Sequence, residues 1–395
     1  MSADRDVDHS ISGALDLTYG DSWLANVGDI FVAAEQSGLP TNQDVNSGNP
    51  IGMGMGTVCI HNCKRLTAAD AYLQNAPSNL TIVADAAVAK VLIYDSKAIG
   101  VETVAGRRYH ARSEVVLSGG AINTPQTLML SGAGATNDLL ALGIEPVVDL
   151  PMVGQNLQDH CFAPVGIAFK TDISGGPDSQ SPSPMGWFKL PTLNHTPPSF
   201  VGHTPEAGTE FVGAICLIMN PQSTGTVRLH STDPNAAPAI DPKFLSNPYD
   251  RFALIEGVRE TVRLLSAPVF SAKTIKTYFP KDDSDEAIWA SGPNLHCILE
   301  HADQSEQEHI RGSTMSSWHM SGTVKMGNSP SHACVDPSFR VFGLNSLRVV
   351  DMSVVPFVPN CHTQSTAYIL GEIAGDVLAE EYNLMAPSMH SMARL

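Results

Sequence analysis

Two histidines in the last quarter of the chain sit in settings suited to proton transfer. The first lies in Ser317-Trp318-His319-Met320-Ser321-Gly322-Thr323, the second in Asn360-Cys361-His362-Thr363-Gln364-Ser365-Thr366. Each is a small polar cluster interrupting apolar sequence. An imidazole titrates at about 6.5, so it can take up and release a proton near neutrality. Between the two, Leu347-Arg348-Val349-Val350-Asp351-Met352-Ser353 reads as a short β-type run closed by an acid. Beyond His362, the residues Ala367, Leu370, Ile373, Ala374, Val377 and Leu378 recur at helical spacing. A strand, a polar turn, a histidine and a helix start make an active-site arrangement rather than a packing one.

The elements that must position these residues are legible further upstream. Glu114 to Ser118 reads as a buried strand, followed at once by Gly119-Gly120 and then Pro125 at an expected helix start, with the helix running from Gln126 to Ser131. A strand, a glycine pair and a helix N-terminus let backbone approach a phosphate or ribose, which makes Ser118 and Gly119 candidate cofactor contacts. Strands are expected at Leu80–Ala84, Ala87–Tyr94 and Ala98–Glu102, joined by tight turns. Helices are expected over Asn26–Gly38, Thr67–Leu73 and Arg251–Leu265, the last with Leu254, Ile255, Val258, Val262 and Leu265 on one face. Ile51 to Gly56, rich in glycine, is expected to cross close to another backbone. Ile173–Pro198, rich in Pro, Ser and Gly, reads as a surface loop or lid, and Pro234–Leu245 as a connector.

Bulk properties narrow the partners. The 395 residues carry 43% hydrophobic and 16% charged side chains, an ordinary globular balance with room for two or three packed units. A net charge of −17 argues against nucleic acid or an anionic membrane surface as partner. No apolar run is long enough to span a bilayer. The acidic opening is unlike a signal peptide, and seven cysteines form an odd set, so reduced thiols in a cytoplasmic setting are expected. Cys59 and Cys63 flank His61, but no second pair at ligand spacing follows and no metal site is expected.

Several longer motifs resemble the glucose–methanol–choline (GMC) oxidoreductases. Gly120 to Gly134 is similar to that family's second signature, departing at Thr127 and Ala133. Leu142-Gly143-Ile144 and Pro151-Met152-Val153-Gly154-Gln155-Asn156-Leu157-Gln158-Asp159-His160 continue the likeness. Gly225-Thr226-Val227-Arg228-Leu229 with Pro238-Ala239-Ile240-Asp241-Pro242 resembles the substrate-domain core, and the His319 and His362 segments resemble the catalytic pair. The resemblance implies a mixed α/β fold. Residues 1–154 would form a partial FAD-binding domain, 155–310 a substrate domain on an antiparallel sheet, and 311–395 a return to the FAD domain. The family's βαβ unit with its GxGxxG loop has no counterpart in the sequence, so the FAD domain is expected to be incomplete, with an uncovered strand edge.

The resemblance also implies roles. In the family an alcohol gives its hydroxyl proton to a histidine while its carbon passes a hydride to flavin. His319 would be the base, and His362 would orient the hydroxyl or share the proton. Val88, Asp351, Met352, Thr363 and Gln364 would line FAD, although Asp351 could equally cap the turn that follows it. The helix starting near Thr363 would aim its positive end at the flavin. His160 would be structural, at a domain junction, and Trp318 would pack beneath the site. The substrate would be a small alcohol, with the His362-Thr363-Gln364 form resembling fungal members and secondary metabolism. Two other readings stay open. One is flavin-free acid–base catalysis (isomerisation, dehydration or cyclisation), and the other is a non-catalytic remnant. A homo-oligomer or a companion chain would cover the missing unit.

Overall fold

A computed structural model describes residues 13–19, 27–46, 48–61, 64–170, 184–187, 198–201, 209–279, 284, 285, 288 and 314–384. The chain divides into two compact units. One combines 1–82, 161–220 and 247–315, and the other 83–160, 221–246 and 316–395.

The first unit is built on an antiparallel sheet. Its strands run in the order Gly52–Met55, Pro184–Trp187, Pro198–Val201, Thr209–Leu217, Cys161–Lys170 and Thr274–Tyr278. The longest pairing sets Phe162 opposite Leu217 and continues to Lys170 opposite Thr209. Both faces of this strand are covered, with Cys161 to Ile167 and Phe169 all buried, and helix Pro248–Leu265 packs against the two central strands. That helix starts cleanly because Asn247 accepts from the Tyr249 N–H at 2.9 Å, with Pro248 at its first position. Its face of Leu254, Ile255, Val258 and Leu265 is buried, as the periodicity implies. The close crossing expected of the glycine-rich strand is real. A Cβ on Gly54 would sit 2.4 Å from the Asn42 carbonyl oxygen.

Two expectations change here. Residues 1–82 cluster with the middle of the chain, not with 83–154, because the Gly52–Met55 strand adds to the sheet edge beside Pro184–Trp187. Pro184–Trp187 itself lies in the stretch read as a surface loop, yet it is a strand with Trp187 buried in an apolar cluster with Phe162 and Leu217. Pro198 begins the next strand, and the remainder of that stretch, together with Cys63, lies outside the described residues.

The second unit is mixed α/β. Strands Val88–Tyr94, Lys97–Thr103 and Arg108–His110 form a meander, turned first at Asp95 and Ser96, both at positive φ. Residues 80–84 join no ladder among the described residues; Leu80, Ile82 and Val83 are all exposed, so the β-type composition has nothing to pair with. Strand Val115–Leu117 runs parallel to Leu347–Val349, with Val115 opposite Leu347. Behind this pair lies a core that includes Leu117, Leu128, Leu139, Val324, Val335, Val349 and Ala374. The connector expected at 234–245 contains a strand, Ala239–Asp241, paired with Thr226–Arg228. Gly225 permits this hairpin-like approach, since a Cβ there would lie 2.0 Å from the Asp241 carbonyl oxygen.

The helix after the glycine pair spans Gly120–Leu130, so Pro125 lies inside it rather than at its start. A proline there cannot donate to the carbonyl four residues back. The buried Thr323 hydroxyl supplies that bond instead, donating to the Ala121 carbonyl at 2.6 Å.

Candidate active site

The site is assembled where 156–160 runs against 317–322. Gln158 and Ser321 exchange both backbone hydrogen bonds (3.0 and 2.9 Å), which brings residue 160 opposite residue 319. The ladder is interrupted at Trp318, whose φ of +60° is uncommon for a bulky residue. Its N–H is held by Ser316 Oγ at 2.9 Å. Gly322 and Asn156 lock the far end, the Asn156 amide donating to the Gly322 carbonyl at 3.1 Å.

This geometry lines up three imidazoles. His160 Nδ1 lies 2.9 Å from His319 Nδ1, and His319 Nε2 lies 3.2 Å from His362 Nδ1. Each ring stands nearly perpendicular to the next, at 90° and 81°. His160 is fully buried, His319 half-buried, and His362 opens to solvent. Burial, with the His362 ring adding to it, lowers the His319 pKa to about 4. Desolvation of its inner side lowers that of His362 as well. Both rings are therefore neutral at pH 7 and available as acceptors.

Asp159 anchors the row. Its Oδ1 accepts from the His319 N–H at 2.9 Å and its Oδ2 from the Ser316 hydroxyl. Burial raises its pKa to about 6, against the opposing pull of hydrogen bonds from Ser316, Ser317 and the His319 and His160 peptides. Ser317 Oγ also lies 3.0 Å from His319 Nδ1.

His362 is the residue before helix Thr363–Glu381, and it offers no side-chain cap. Thr363 and Gln364 are thus the first two residues of a 19-residue helix whose positive end opens beside the imidazoles. Met352 reaches the same region through the backbone, its carbonyl accepting from the Gly322 N–H at 3.0 Å. Asp351 serves as a cap and more. One oxygen accepts from the Ser353 N–H at 2.7 Å, and the other from the Gly120 N–H at 3.0 Å and the Thr124 hydroxyl at 2.6 Å. It therefore ties the glycine turn to the segment following Leu347–Val349.

Ser118, Gly119 and Val88 gather elsewhere in the same unit, around a cleft of about 440 Å³ that Tyr109, Val116 and Thr124 also line. Val88 is 39% exposed there. The Tyr109 hydroxyl is buried without a hydrogen-bond partner among the described residues, and Thr124 accepts from the Gly119 N–H at 2.9 Å. The predicted residues thus fall into an imidazole group and a cleft group, linked through Asp351.

Trp318 does not pack beneath the site. It is 73% exposed, because its left-handed backbone turns the side chain out of the ladder. The sequence reading also missed what Asp159, His160 and Ser317 do at this site. The signal available was Gln158-Asp159-His160, which is unusually polar for a segment that ends fully buried.

Comparison with known proteins agrees with this architecture. Models of the GMC oxidoreductase family match residues 12–162 and 221–371. Human mitochondrial choline dehydrogenase is 33% identical over 387 residues, covering 88% of this chain and 62% of that protein. The alcohol dehydrogenase [acceptor] of Pseudomonas putida is 30% identical over 392 residues, covering 89% of this chain and 68% of that protein. The chain thus spans under two thirds of the length of the first of these and slightly more of the second. A formate oxidase variant from Aspergillus oryzae superposes with a TM-score of 0.80 at 24% identity, over 94% of this chain and 73% of that one, which shows the shared fold. With family models matched in order along its length and a relative at 30% identity two thirds covered, the chain belongs to the GMC oxidoreductase family.

Proposed function

We propose that this chain carries the proton-handling centre of a flavin-linked alcohol oxidation. The observation that carries the reading is the 3.2 Å contact between His319 Nε2 and His362 Nδ1 at the uncapped start of helix Thr363–Glu381. His319 takes the hydroxyl proton, and His362 orients the hydroxyl and passes the proton to solvent. A neutral pair suits this task, since a resting imidazolium could not accept. Relatives named for an alcohol and for choline support a small alcohol as substrate.

FAD, when bound, supplies the acceptor for the hydride. The residues present fit two of its ends. Val88, Ser118 and Gly119, with the buried Tyr109 hydroxyl that has no partner among the described residues, offer polar and backbone contacts for a nucleotide base and ribose. Thr363, Gln364 and the helix N-terminus offer N–H groups for the ring edge that gains charge. Asp351 and Met352 hold the turn between these regions. GxGxxG does not occur in the 395 residues, so the pyrophosphate grip is assigned to a companion chain or to further residues of a longer product.

A second reading, proton transfer without flavin, is favoured by the unbroken row of three imidazoles. One experiment separates the two. The purified chain is titrated with FAD by flavin fluorescence, then assayed for alcohol-dependent dye reduction at saturating FAD. Weak flavin binding is expected, with turnover that His319→Ala lowers about 10²–10⁴-fold without changing FAD affinity. Turnover unchanged by that substitution overturns the first reading. Isomerisation or dehydration at undiminished rate without FAD would establish the second.

A further inference from the structure

We propose that Gln158 is a positioning residue for the imidazole pair, setting the gap between His319 and His362 by holding the segment that leads to each. The role matters to catalysis through the reading of that pair as the proton-handling centre of an alcohol oxidation. The two rings are 43 residues apart in sequence and meet at 3.2 Å. On the His319 side, Gln158 exchanges both backbone hydrogen bonds with Ser321, and the next side chain, Asp159, accepts from the His319 N–H at 2.9 Å. On the His362 side the backbone contacts run out early. The N–H groups of Gly322, Val324 and Met326 donate to the Met352, Ser353 and Val354 carbonyls, and the pairing stops there.

Residues 356–361 join no ladder among the described residues, and the prolines at 356 and 359 bring no N–H of their own. Apart from the helix they lead into, the described residues reach them by hydrogen bonds from two side chains, those of Asn156 and Gln158. Asn156 contributes one bond, to the Pro356 carbonyl at 3.3 Å. Gln158 contributes two and spans Phe357. Its Nε2 donates to the Pro356 carbonyl at 2.9 Å, and its Oε1 accepts from the Val358 N–H at 3.3 Å. A carboxamide satisfies both only in this orientation, since turned over it would set oxygen against carbonyl and N–H against N–H. Gln158 and Val358 are both buried, so water is a poor substitute for either bond. The helix beyond gives little independent hold, because Ala374 is the only buried residue in Thr363–Glu381. One buried amide therefore fixes how the chain approaches His362, while the same residue's backbone fixes where it passes His319.

The experiment is a nuclear Overhauser measurement on the histidine-labelled, otherwise deuterated chain without flavin, with His160, His319 and His362 assigned from single Gln variants. Ring centroids lie 5.0 Å apart for His160 and His319 and 5.1 Å apart for His319 and His362, so wild type should give cross-ring signals for both pairs. Gln158→Met keeps the length of the side chain and removes both of its bonds. It should retain the His160–His319 signal, which backbone pairing and Asp159 maintain, and lose the His319–His362 signal. An unchanged second signal in the folded variant overturns the proposal. Loss of both signals together also overturns it, since Gln158 would then be a general support of the fold. In wild type the Val358 N–H should exchange with solvent as slowly as the Ser321 N–H, and fast exchange there overturns the proposal whether or not the variant folds. At saturating FAD, Gln158→Met should lower kcat about 10–10²-fold with FAD affinity unchanged. Loss of the His319–His362 signal with kcat unchanged would sink the oxidation reading and leave the positioning role standing.

Discussion

The Thr323 hydroxyl donates to the Ala121 carbonyl at 2.6 Å across a sequence separation of 202 residues, filling the bond that Pro125 cannot make. Both partners are buried, so water cannot substitute. Thr323→Val keeps the shape and removes the donor, and it should cost about 1–3 kcal/mol. Pro125→Ala restores an N–H to the same carbonyl. The double variant should therefore lose less than the sum of the two single costs. Urea midpoints of the four proteins decide the matter, and strict additivity would mean the hydroxyl is not replacing the helical bond.

Asp159 and His319 titrate in opposite senses, which should flatten the pH dependence of stability. Asp159 has a folded pKa of about 6 against an ordinary 3.8, so its contribution is full below pH 3.8 and lost as pH rises through 6. His319 has a folded value of about 4 against 6.5, so its contribution is full above pH 6.5 and lost as pH falls through 4. Between these limits the two slopes oppose. Asp159→Asn leaves the histidine term, and stability should then rise with pH across this window. His319→Gln leaves the carboxylate term, tilting the profile downward with rising pH. The carboxylate effect is on the order of 2–3 kcal/mol. Identical profiles for all three proteins would show that neither group is perturbed as described.

Arg348 holds the terminal helix to the parallel strand pair. Its side chain is 3% exposed and bonds Glu114 through Nε at 2.6 Å and Nη2 at 3.2 Å, with Nη1 on the Ser338 carbonyl at 2.6 Å and Glu381 alongside. Burial alone would raise the Glu114 carboxyl, but the bonds from Arg348 and Tyr382 outweigh it and hold the pKa below the usual range. Arg348→Met strands the Glu114 carboxylate, while Glu381 keeps Arg340 as a partner, and should cost about 3–5 kcal/mol at pH 7. The penalty should shrink toward pH 4, where the variant's Glu114 takes up a proton and no longer needs a cation. Chemical denaturation at the two pH values checks this, and an equal cost at both would contradict it.

What could be read from the sequence was whatever depends on near neighbours. The face of helix Pro248–Leu265 follows from its own spacing, and the turn settings of His319 and His362 follow from local polarity. Pro125 misled because a proline usually marks a helix start, and only Thr323 makes it tolerable inside one. Residues 80–84 misled in the other direction: their β-type composition is genuine, but they meet no strand in the described residues. Asp159 and His160 stayed obscure because their partners lie 157 to 160 residues away. Their meaning emerges only when the Gln158–Ser321 pair fixes which residues face each other.

Asp351 separates a structural role from a cofactor role most cleanly. A residue that only contacted FAD could be removed with little effect on the flavin-free chain. Asp351 instead accepts from the Ser353 and Gly120 N–H groups and from the Thr124 hydroxyl, and Gly120 has a φ of +76° that needs an anchored turn. Asp351→Ala should therefore lower the stability of the flavin-free chain by about 1.5–3 kcal/mol, the worth of hydrogen bonds to a charged group. Asp351→Asn should lose part of this, since an amide nitrogen cannot accept from the Gly120 N–H. Because the same turn carries Ser118 and Gly119 into the cleft, FAD affinity should fall in step with stability across the two variants. Stability unchanged with affinity lost would make Asp351 a direct cofactor contact, and the tie between the glycine turn and the Asp351 segment would then be incidental.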